Sequence, residues 1–380
     1  MNILFIIPTL GQGGAQRVLV NLANSLAVSA PCLSRQGSIE SDRYNISIVT
    51  FASSDVAPHH VPSHRIPVHY LGAISGSRSS GIGLVGSILK LRNIVQEVQP
   101  HVVVAFQDIA IYPAILSCIG CRAKLIISER QDTRFYRLAF VRRLLRWVMY
   151  RFANRVVVQT ELVKKQMPGH AISRTTVIPN ASPVLSMRAT PSRAQACTYK
   201  IISVGRLELQ KNFSLLVEAA GLAFKGRDDW KLVIYGEGSL RFLLEQQIAE
   251  LQLENKVELA GLTPSVFTKL AEANIFVFPS LYEGFPNVLA EATCIGLPCI
   301  AYKDVSGVQE LIENDVNGLL LSSSERHALP LAAAMESLMD APEKRVRMGK
   351  EGIRLASRYH EDLIIGSWGN LLHALVGEPG

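Results

Sequence analysis

The sequence predicts an α/β fold built from two Rossmann-like, doubly wound domains in tandem. Short β-branched runs alternate with helical patterns along almost all of the 380 residues, and this alternation is typical of parallel sheets covered by helices. It is interrupted once, over residues 183–198, which are rich in Pro, Ser, Arg and Ala and are interpreted as a linker. Since two domains fit a chain of this length, we expect domains at 1–182 and 199–358 that face each other across a cleft.

The first predicted domain alternates between strands and helices from its start. We expect strands at Ile3–Ile7, Ile46–Phe51, Val68–Leu71, Val102–Phe106, Leu125–Ser128, Val156–Gln159 and Thr176–Ile178. We expect helices at Ala15–Ala27, Leu84–Val98, Ala110–Cys118 and Leu138–Ala153. The Ser-, Gln- and Gly-rich run 30–43 is interpreted as a loop inserted before the second strand.

The second predicted domain repeats the same alternation. Its expected strands are Ile201–Val204, Lys231–Tyr235, Val257–Leu259, Ile275–Phe278 and Cys299–Ala301, with helices beginning at Phe213, Leu240 and Asn287. Helices are expected to fill most of the remainder, and residues 359–380 are expected to form a helix that packs back on the first domain. Because ligands of such sheets bind outside the carboxyl ends of the strands, the loops that follow the strands are where we look for a site.

The charge of the chain is distributed unevenly. The net charge is +7, and residues 1–180 alone carry +12, with ten Lys and Arg residues between positions 121 and 155. A basic half indicates an anionic partner, which leaves phosphorylated lipid, a membrane surface or nucleic acid. Nucleic acid is disfavoured because the chain has no zinc-finger spacing, basic zipper or homeodomain-like pattern.

Composition also bears on the compartment and on metal binding. The longest apolar stretch, Ile109–Cys121, has 13 residues, fewer than the ~20 that a membrane-spanning helix needs. No signal-peptide pattern is visible at the start, so we expect a cytoplasmic protein whose cysteines are buried, reduced thiols. Four histidines in a Pro-rich loop are interpreted as solvated rather than metal-binding, and no metal site is predicted: His59, His60, His64 and His69.

Two glycine-containing loops follow predicted strands and are candidates for phosphate binding. Gly13 and Gly14 open the first helix, where backbone N–H groups can approach a phosphate; a tight turn needed only for packing is the alternative. In the second domain, Arg206 and Lys211 lie in the loop after the first strand. Two cations there can hold a diphosphate, unless they are simply solvated basic side chains.

The stretch from Tyr282 to Glu291 is the most informative part of the chain. Glu283 lies in a loop after a predicted strand, and a helix is expected to begin after Pro286. The free N–H groups of Asn287 and Val288 would then point toward a ligand, and Glu291 would lie one turn further along the same face. Two carboxylates that bracket a helix N-terminus can hold a diphosphate with hydroxyl-rich groups on either side.

Taken in order, these motifs resemble the retaining glycosyltransferases of family 4, which have the GT-B fold. The resemblance covers nearly the whole chain and is densest from 200 to 322. The matching segments are 13–15, 178–180, 205–207 with 211–212, 236–238, 283–291, 307–312 and 317–319.

The resemblance implies a role for each matching residue. Gly13 and Gly14 would meet the donor phosphate, and Arg206 and Lys211 would stabilise the diphosphate as it leaves. Glu283 would contact the donor sugar, and Glu291 would accept hydrogen bonds from the ribose hydroxyls. Phosphate or sugar would also be met by Phe285, Asn287 and Val288. No metal is required, and the nucleotide-sugar, most commonly a UDP-sugar in this family, is a co-substrate.

The acceptor side departs from the family. Many members have a His after a strand of the first domain, where this chain has Arg130. Arg130 is interpreted as a contact for an anionic acceptor and Glu129 as a group serving the acceptor hydroxyl, or the two simply pair with each other. The basic, aromatic helix around Arg142, Arg143, Arg146 and Trp147 favours an interfacial membrane helix, with a helix packed on both sides as the alternative.

These observations predict a glycosyltransferase whose acceptor is a lipid-linked oligosaccharide or polysaccharide precursor. Such an enzyme would be peripheral on the inner face of the cell membrane. A nucleotide-sugar epimerase on the same fold and a non-catalytic sugar-binding protein are the alternatives. The first is disfavoured by the motifs between 205 and 291, and the second because its site would not need two cations beside paired glutamates.

Overall fold

The computed structural model describes the chain in two compact units. It describes all residues except 12, 29, 34–38, 43, 56–57, 75–80, 136–139, 183–184, 193–197 and 378–380. One unit contains Met1–Ala181 and Glu361–Gly380, and the other contains Ser182–His360. Each unit has one main parallel sheet, of seven and six strands, so the predicted fold class is confirmed.

The first unit alternates strands and helices as expected. Its strands are β1 (Asn2–Ile7), β2 (Ala30–Leu33), β3 (Ile39–Asp42), β4 (Asn45–Ala52), β5 (Val68–Ile74), β6 (Val102–Phe106), β7 (Lys124–Ser128), β8 (Arg155–Val158) and β9 (Thr175–Val177). Its helices before the second unit are α1 (Gly14–Val28), α2 (Gly81–Val98), α3 (Asp108–Cys118), α4 (Phe140–Met149), α5 (Glu161–Lys165) and α6 (Gly169–Ile172).

The seven-stranded sheet has the order β5-β4-β1-β6-β7-β8-β9, and all its pairs are parallel. In the central strand β1, Ile3 and Phe5 enter one hydrophobic core and Leu4 and Ile6 enter another. Successive side chains of a strand point to opposite faces, so a strand covered on both faces is apolar throughout. The run 30–43, expected to be a loop, instead contains the antiparallel hairpin of β2 and β3.

The second unit has a six-stranded parallel sheet of order β12-β11-β10-β13-β14-β15. Its strands are β10 (Tyr199–Val204), β11 (Trp230–Tyr235), β12 (Val257–Gly261), β13 (Ile275–Phe278), β14 (Cys299–Tyr302) and β15 (Gly318–Leu321). Its helices are α7 (Phe213–Ala223), α8 (Arg241–Glu250), α9 (Val266–Ala271), α10 (Asn287–Ile295), α11 (Val308–Leu311), α12 (Ala328–Met339) and α13 (Pro342–Ala356). Strand β15 lies in the part of the chain that was expected to be mostly helical.

Part of the segment expected to be a linker is attached to the second unit. The Ala189 N–H donates to the Ile295 carbonyl at 2.9 Å. The Pro191 carbonyl accepts from Asn274 Nδ2 at 3.1 Å and from Arg345 Nε at 2.7 Å. These bonds hold the described residues between 185 and 192 on the surface of the unit.

The chain ends in helix α14 (Glu361–Gly377), which belongs to the first unit. One face of α14 enters the same core as β1, and the Trp368 ring stacks on Phe106 with centroids 6.3 Å apart. His373 lies on the same helix, and its Nε2 is 2.9 Å from the hydroxyl of Tyr44, which precedes β4. Among the described residues, no helix is both long and apolar enough to cross a membrane.

Candidate functional site

The predicted donor-side residues of the second unit lie at or after the carboxyl ends of its strands. Strand β10 lies between β11 and β13, and because all three run parallel, the loops that follow them meet at one edge of the sheet. These are the loops that carry Arg206 and Lys211, the Gly236–Gly238 motif, and Glu283.

Gly236 and Gly238 are needed for the close approach of two of these loops. Gly236 has a φ of +147°, and a Cβ there would lie 1.8 Å from the Gly205 carbonyl oxygen. A Cβ on Gly238 would lie 2.4 Å from the Leu207 carbonyl oxygen. The Leu207 N–H donates to the Glu237 carbonyl at 2.9 Å. The Gly-Glu-Gly motif therefore brings the loops after β10 and β11 into backbone contact.

Lys211 and Glu283 form an ion pair at the centre of this edge. Lys211 Nζ lies 2.6 Å from Glu283 Oε1, and the two side chains are 15% and 13% exposed. The lysine stem crosses Gly205, where a Cβ would lie 3.0 Å from Lys211 Cε. Lys211 Nζ is also 5.4 Å from the centre of the Phe278 ring, within the range of a cation–π contact. The structure thus joins two residues that were predicted to act separately.

Two hydrogen bonds, one between backbone groups and one from a side chain, hold the two loops of this ion pair together. The Leu281 N–H donates to the Gln210 carbonyl at 2.8 Å, and Gln210 Nε2 donates to the Tyr282 carbonyl at 2.8 Å. Gln210 was not singled out in the sequence, because its partner lies 72 residues further along the chain. Its amide fixes the spacing between the Lys211 and Glu283 loops.

Arg206 lies apart from the ion pair. Its side chain is exposed, and among the described residues it forms no ion pair. Glu208, in the same loop, accepts hydrogen bonds from the Ser239 N–H at 3.1 Å and from the Ser239 hydroxyl at 2.9 Å. These bonds, with a smaller contribution from Arg206, lower the pKa of Glu208. Arg206 is therefore a solvated cation at the rim of this edge, next to an ionised carboxylate.

The start of helix α10 corrects one expectation. The Asn287 N–H, predicted to be free, donates to the Phe285 carbonyl at 3.0 Å. Pro286 between them has φ −84° and ψ 76°, an inverse γ-turn. The Val288 N–H makes no hydrogen bond within the described residues, so it is the amide that remains for a ligand. Phe285 is buried, and its ring packs 6.1 Å from that of Tyr359, which makes it a core residue rather than an open ligand contact.

Glu291 lies inside helix α10 and is only 4% exposed. Its charge contributes to the raised pKa of Cys294, which is due first to burial. The contact of Glu291 with ribose stays a prediction.

In the first unit, Gly13 and Gly14 lie at the turn between β1 and α1. A Cβ on Gly13 would lie 2.3 Å from Gln16 Oε1, so the Gln16 amide folds over the turn. The His59 and His60 N–H groups donate to the Leu10 carbonyl at 3.0 and 3.4 Å. His60, expected to be solvated, is half-buried beside the turn and hydrogen-bonds to the Gly13 backbone. The sequence carried no signal for this contact.

Glu129 and Arg146 belong to a buried network that was not predicted. The Glu129 carboxylate pairs with Arg146 Nη2 and accepts from the Tyr150 hydroxyl at 2.8 Å. Arg146 Nε donates to the Tyr150 hydroxyl at 2.9 Å, and burial raises the pKa of Tyr150. Arg146 is 5% exposed, so it does not face a membrane, and the interpretation of Arg146 as a lipid contact was wrong. Glu129 likewise belongs to this buried network and does not line an open acceptor site.

The remaining acceptor-side residues have different surroundings. The Trp147 side chain is 46% exposed, and its ring lies 4.5 Å from that of His170. The side chains of Arg142 and Arg143 lie outside the described residues. Arg130 does not form the expected ion pair with the Glu129 carboxylate, which accepts instead from the Arg130 backbone N–H at 3.1 Å. The Arg130 guanidinium donates to Asn180 Oδ1 at 2.7 Å.

No group of three or more His, Cys, Asp and Glu side chains in the described part of the chain is placed to hold a metal ion.

Comparison with known proteins adds a family and a set of relatives. Residues 192–355 match the family described as glycosyl transferases group 1. An uncharacterized glycosyltransferase of Haemophilus influenzae is 25% identical over 369 residues, which cover 97% of this chain and 99% of that protein. A Campylobacter jejuni enzyme is 27% identical over 341 residues and 87% of each chain. Its name is GalNAc-alpha-(1->4)-GalNAc-alpha-(1->3)-diNAcBac-PP-undecaprenol alpha-1,4-N-acetyl-D-galactosaminyltransferase.

The structure is also similar to a solved one. The crystal structure of Anabaena HepE in complex with UDP-glucose superposes with a TM-score of 0.79, over 98% of this chain and 100% of that chain, at 19% identity. At this identity the likeness concerns the fold alone, and it confirms the two-sheet, Rossmann-like class predicted for this chain.

Proposed function

Because residues 192–355 match the group 1 glycosyltransferases, we propose that this chain is such an enzyme and moves a sugar from a UDP-sugar to a glycan acceptor, with retention of the anomeric configuration. The acceptor is a lipid-linked oligosaccharide or a polysaccharide precursor. The observation that carries the proposal is the ion pair of Lys211 and Glu283, 2.6 Å apart at the carboxyl edge of the second sheet.

The difficult part of such a transfer is the negative charge that develops on the departing diphosphate. Preorganised cations and N–H groups aimed at that charge supply the largest stabilisation in reactions of this type. In this proposal Lys211 is the fixed cation, since its stem is held on Gly205 and its ammonium on Glu283. The exposed Arg206 side chain binds the phosphates from the solvent side, and the Val288 N–H donates a further hydrogen bond to them. The proposal requires no metal.

Glu283 has two tasks in this scheme. One carboxylate oxygen holds Lys211 Nζ, and the remaining acceptor positions are available to the hydroxyl groups of the donor sugar. Glu291 accepts hydrogen bonds from the ribose hydroxyls.

The substrates are proposed from the relatives. HepE is described in complex with UDP-glucose, which supports a UDP-sugar donor. The Campylobacter relative is named for transfer to a glycan on diphospho-undecaprenol, which supports a lipid-linked acceptor. An acceptor of this kind requires the enzyme to work at a membrane surface, on its cytoplasmic face.

The surface of helix α4 supports that location. Leu144, Leu145 and Trp147 of α4 are exposed, and Phe152 is exposed just after it. These apolar side chains lie in the segment where basic residues are concentrated, and basic, aromatic helices bind at the interface of anionic membranes. We propose that this surface holds the enzyme on the membrane.

A panel of nucleotide sugars tests the proposed donor. At 100 times its Kd, the correct donor should stabilise the protein by ~2.7 kcal/mol, measured as a shift in thermal unfolding. UDP-sugars are expected to act and GDP- and ADP-sugars to act weakly. If no nucleotide sugar shifts the transition, and none is hydrolysed on prolonged incubation, the proposed function is wrong.

A further inference from the structure

Arg130 places a buried guanidinium at the carboxyl edge of the first sheet. The residue is 7% exposed and directly follows β7. Its guanidinium carbon lies 4.3 Å from the centre of the Phe106 ring, at the end of the neighbouring strand β6. Nη1 donates to Asn180 Oδ1 at 2.7 Å. Stacking on one face and the bond at one end hold the planar group in a single orientation.

The opposite edge of the same guanidinium has no partner within the described part of the chain. Nε and Nη2 of Arg130 are buried there and make no hydrogen bond. The Ser128 hydroxyl, two residues earlier at the end of β7, is also buried and has no partner among the described residues. Buried polar atoms are nearly always paired, and leaving several unpaired in one place is costly. Such a cluster is expected where a ligand supplies the missing partners.

The two unpaired nitrogens define the geometry of that ligand. With Nη1 bonded to Asn180, the Nε–H and one Nη2–H lie parallel along the far edge of the plane. This fork matches two oxygens of a phosphate or a carboxylate, which it binds through two parallel hydrogen bonds.

The charge of the guanidinium is also uncompensated by a direct partner. Glu129 attracts Arg130 at a distance, but its carboxylate is held by Arg146 and Tyr150. Asn180 is neutral, and within the described residues Arg130 forms no ion pair. Burial lowers the pKa of Arg130 to about 9, so the group stays protonated at neutral pH. A buried cation without an anion is unfavourable, and a bound anion removes that cost.

We propose that the Nε–Nη2 edge of Arg130 is a receptor for a phosphate group of a diphosphate substrate. The site lies at the carboxyl edge of the first sheet, where ligands of such sheets bind. The proposal deepens the proposed function and rests on it for the source of the phosphate, which is either the nucleotide donor or the lipid diphosphate of the acceptor. Asn180 and Phe106 are positioning residues, because they fix the plane of the guanidinium.

Calorimetry with two probes tests this assignment and separates the two sources. UDP represents the donor, and farnesyl diphosphate, compared with farnesol, represents a lipid diphosphate. Each is titrated into the full-length wild type, Arg130→Gln and Arg130→Lys. The control is Arg65→Gln, which removes the same charge from an exposed position of the first unit. Circular dichroism and thermal unfolding verify that each variant is folded.

We expect Arg130→Gln to weaken binding of one diphosphate on the order of 10-fold or more, because two charge-assisted hydrogen bonds are lost. Arg130→Lys keeps the charge but not the fork, so it should restore only part of the affinity, and Arg65→Gln should match the wild type. A loss confined to UDP assigns the site to the donor. A loss confined to farnesyl diphosphate, with farnesol unaffected, assigns it to the acceptor.

Two results would overturn the assignment. One is a wild-type protein that binds neither diphosphate. The other is a folded Arg130→Lys variant that binds both diphosphates as tightly as the wild type. This second result is decisive even if Arg130→Gln does not fold. The proposed function fails differently. A wild type that binds farnesyl diphosphate through Arg130 but no nucleotide sugar would contradict the donor reaction and leave the phosphate receptor in place.

Discussion

At the scale of single residues, the chemistry of this protein depends on pairs of side chains that lie far apart in the sequence. Lys211 and Glu283 are 72 positions apart and meet at 2.6 Å. Each was recognisable as a candidate from its own loop, but their mutual contact was not. The pairing keeps the ammonium in place before substrate arrives, so less reorganisation is needed when charge develops on the leaving group.

The Lys211→Met variant tests the role of this cation. The methionine keeps most of the stem that lies on Gly205 and removes the charge. We expect kcat for sugar transfer to fall on the order of 10²–10³-fold, the range seen when one preorganised donor is removed from a site that stabilises developing charge. The affinity for the UDP-sugar should change much less, as measured by calorimetry.

Lys231→Met is the matched control, since Lys231 is an exposed lysine on β11 of the same unit. It should leave kcat unchanged. Equal kcat values for the Lys211 variant and the wild type would contradict the proposed role of Lys211.

His60 provides a pH-dependent contribution to stability. Its pKa is lowered by burial first, then by the charges of His59 and Arg17, while the bond to the Gly13 backbone opposes the shift. A histidine whose folded pKa is depressed binds fewer protons in the folded state than in the unfolded one. Its contribution is therefore complete above the unfolded value of about 6.5 and is lost as the pH falls below it.

Thermal unfolding measured at a series of pH values from about 7.5 to about 5, a range that brackets the pKa of an unfolded histidine, tests this contribution. The midpoint should fall with decreasing pH in the wild type and fall less steeply in His60→Gln. His64→Gln changes an exposed histidine of the same loop and should keep the wild-type slope. Identical slopes for His60→Gln and the wild type would rule out His60 as the titrating group.

At the scale of secondary-structure elements, the loops after parallel strands are held by backbone contact as much as by side chains. The turn after β11 passes so close to the loop after β10 that Gly236 cannot carry a Cβ without moving the Gly205 carbonyl. Gly205 in turn supports the stem of Lys211. The position of the cation thus depends on two glycines in different loops.

Gly236→Ala is expected to disturb both stability and the site. The added Cβ would lie 1.8 Å from the Gly205 carbonyl oxygen, and the φ of Gly236, +147°, is one that residues with a side chain rarely adopt. The free energy of unfolding should therefore fall by more than about 1 kcal/mol. The affinity for the UDP-sugar should fall with it, because the Lys211 loop shifts. Chemical denaturation and calorimetry measure the two effects.

Gly366→Ala is the matched control within helix α14, where a Cβ would meet nothing within 4 Å. It should stabilise the protein by about 0.5–1 kcal/mol, the usual gain for Ala over Gly inside a helix. A Gly236→Ala protein as stable as the wild type would show that the two loops can separate without cost.

Helix α4 shows how one element can serve two environments. Arg146 points into the unit, where it pairs with Glu129 and Tyr150, while Leu144, Leu145 and Trp147 remain exposed. The basic composition of this helix suggested lipid contacts for all of its arginines. The structure removes Arg146 from that set, and the exposed side chains that it describes on α4 are apolar.

At the scale of the whole molecule, the two units differ in charge, and the proposed membrane contact belongs to the basic one. Residues 1–180 carry a net charge of +12. Each basic residue near an anionic surface contributes about 1 kcal/mol, and exposed aromatic side chains add apolar anchoring. Association should therefore need both anionic lipid and the exposed face of α4.

Co-sedimentation with vesicles tests this association. The wild type should bind vesicles containing phosphatidylglycerol at low salt, bind less at high salt because the charges are screened, and ignore purely zwitterionic vesicles. Leu144→Ser combined with Trp147→Ser should reduce binding and leave donor binding intact. Phe242→Ser combined with Leu243→Ser, which changes exposed apolar residues of α8 in the second unit, is the control. A wild type that ignores anionic vesicles at low salt would contradict the membrane proposal.

By itself, the sequence determined the alternation of strands and helices, the two parallel sheets and the loops that carry the donor-side residues. These follow from local patterns, because apolar runs and glycine- or proline-containing turns express short-range constraints. Local patterns did not reveal the hairpin of β2 and β3, nor strand β15, whose short apolar run resembles part of a buried helix.

Only the tertiary structure decided which polar groups are paired. It bonds the Asn287 N–H to Phe285, buries Arg146 against Glu129 and Tyr150, and brings Asn180 to Arg130 across 50 positions. Among the residues that the structure describes, the Nε and Nη2 of Arg130 are left without partners. Burial and pairing depend on residues from distant parts of the chain that meet only after folding. A charge in the sequence therefore shows what a side chain can bind, while the fold decides whether that capacity is already used.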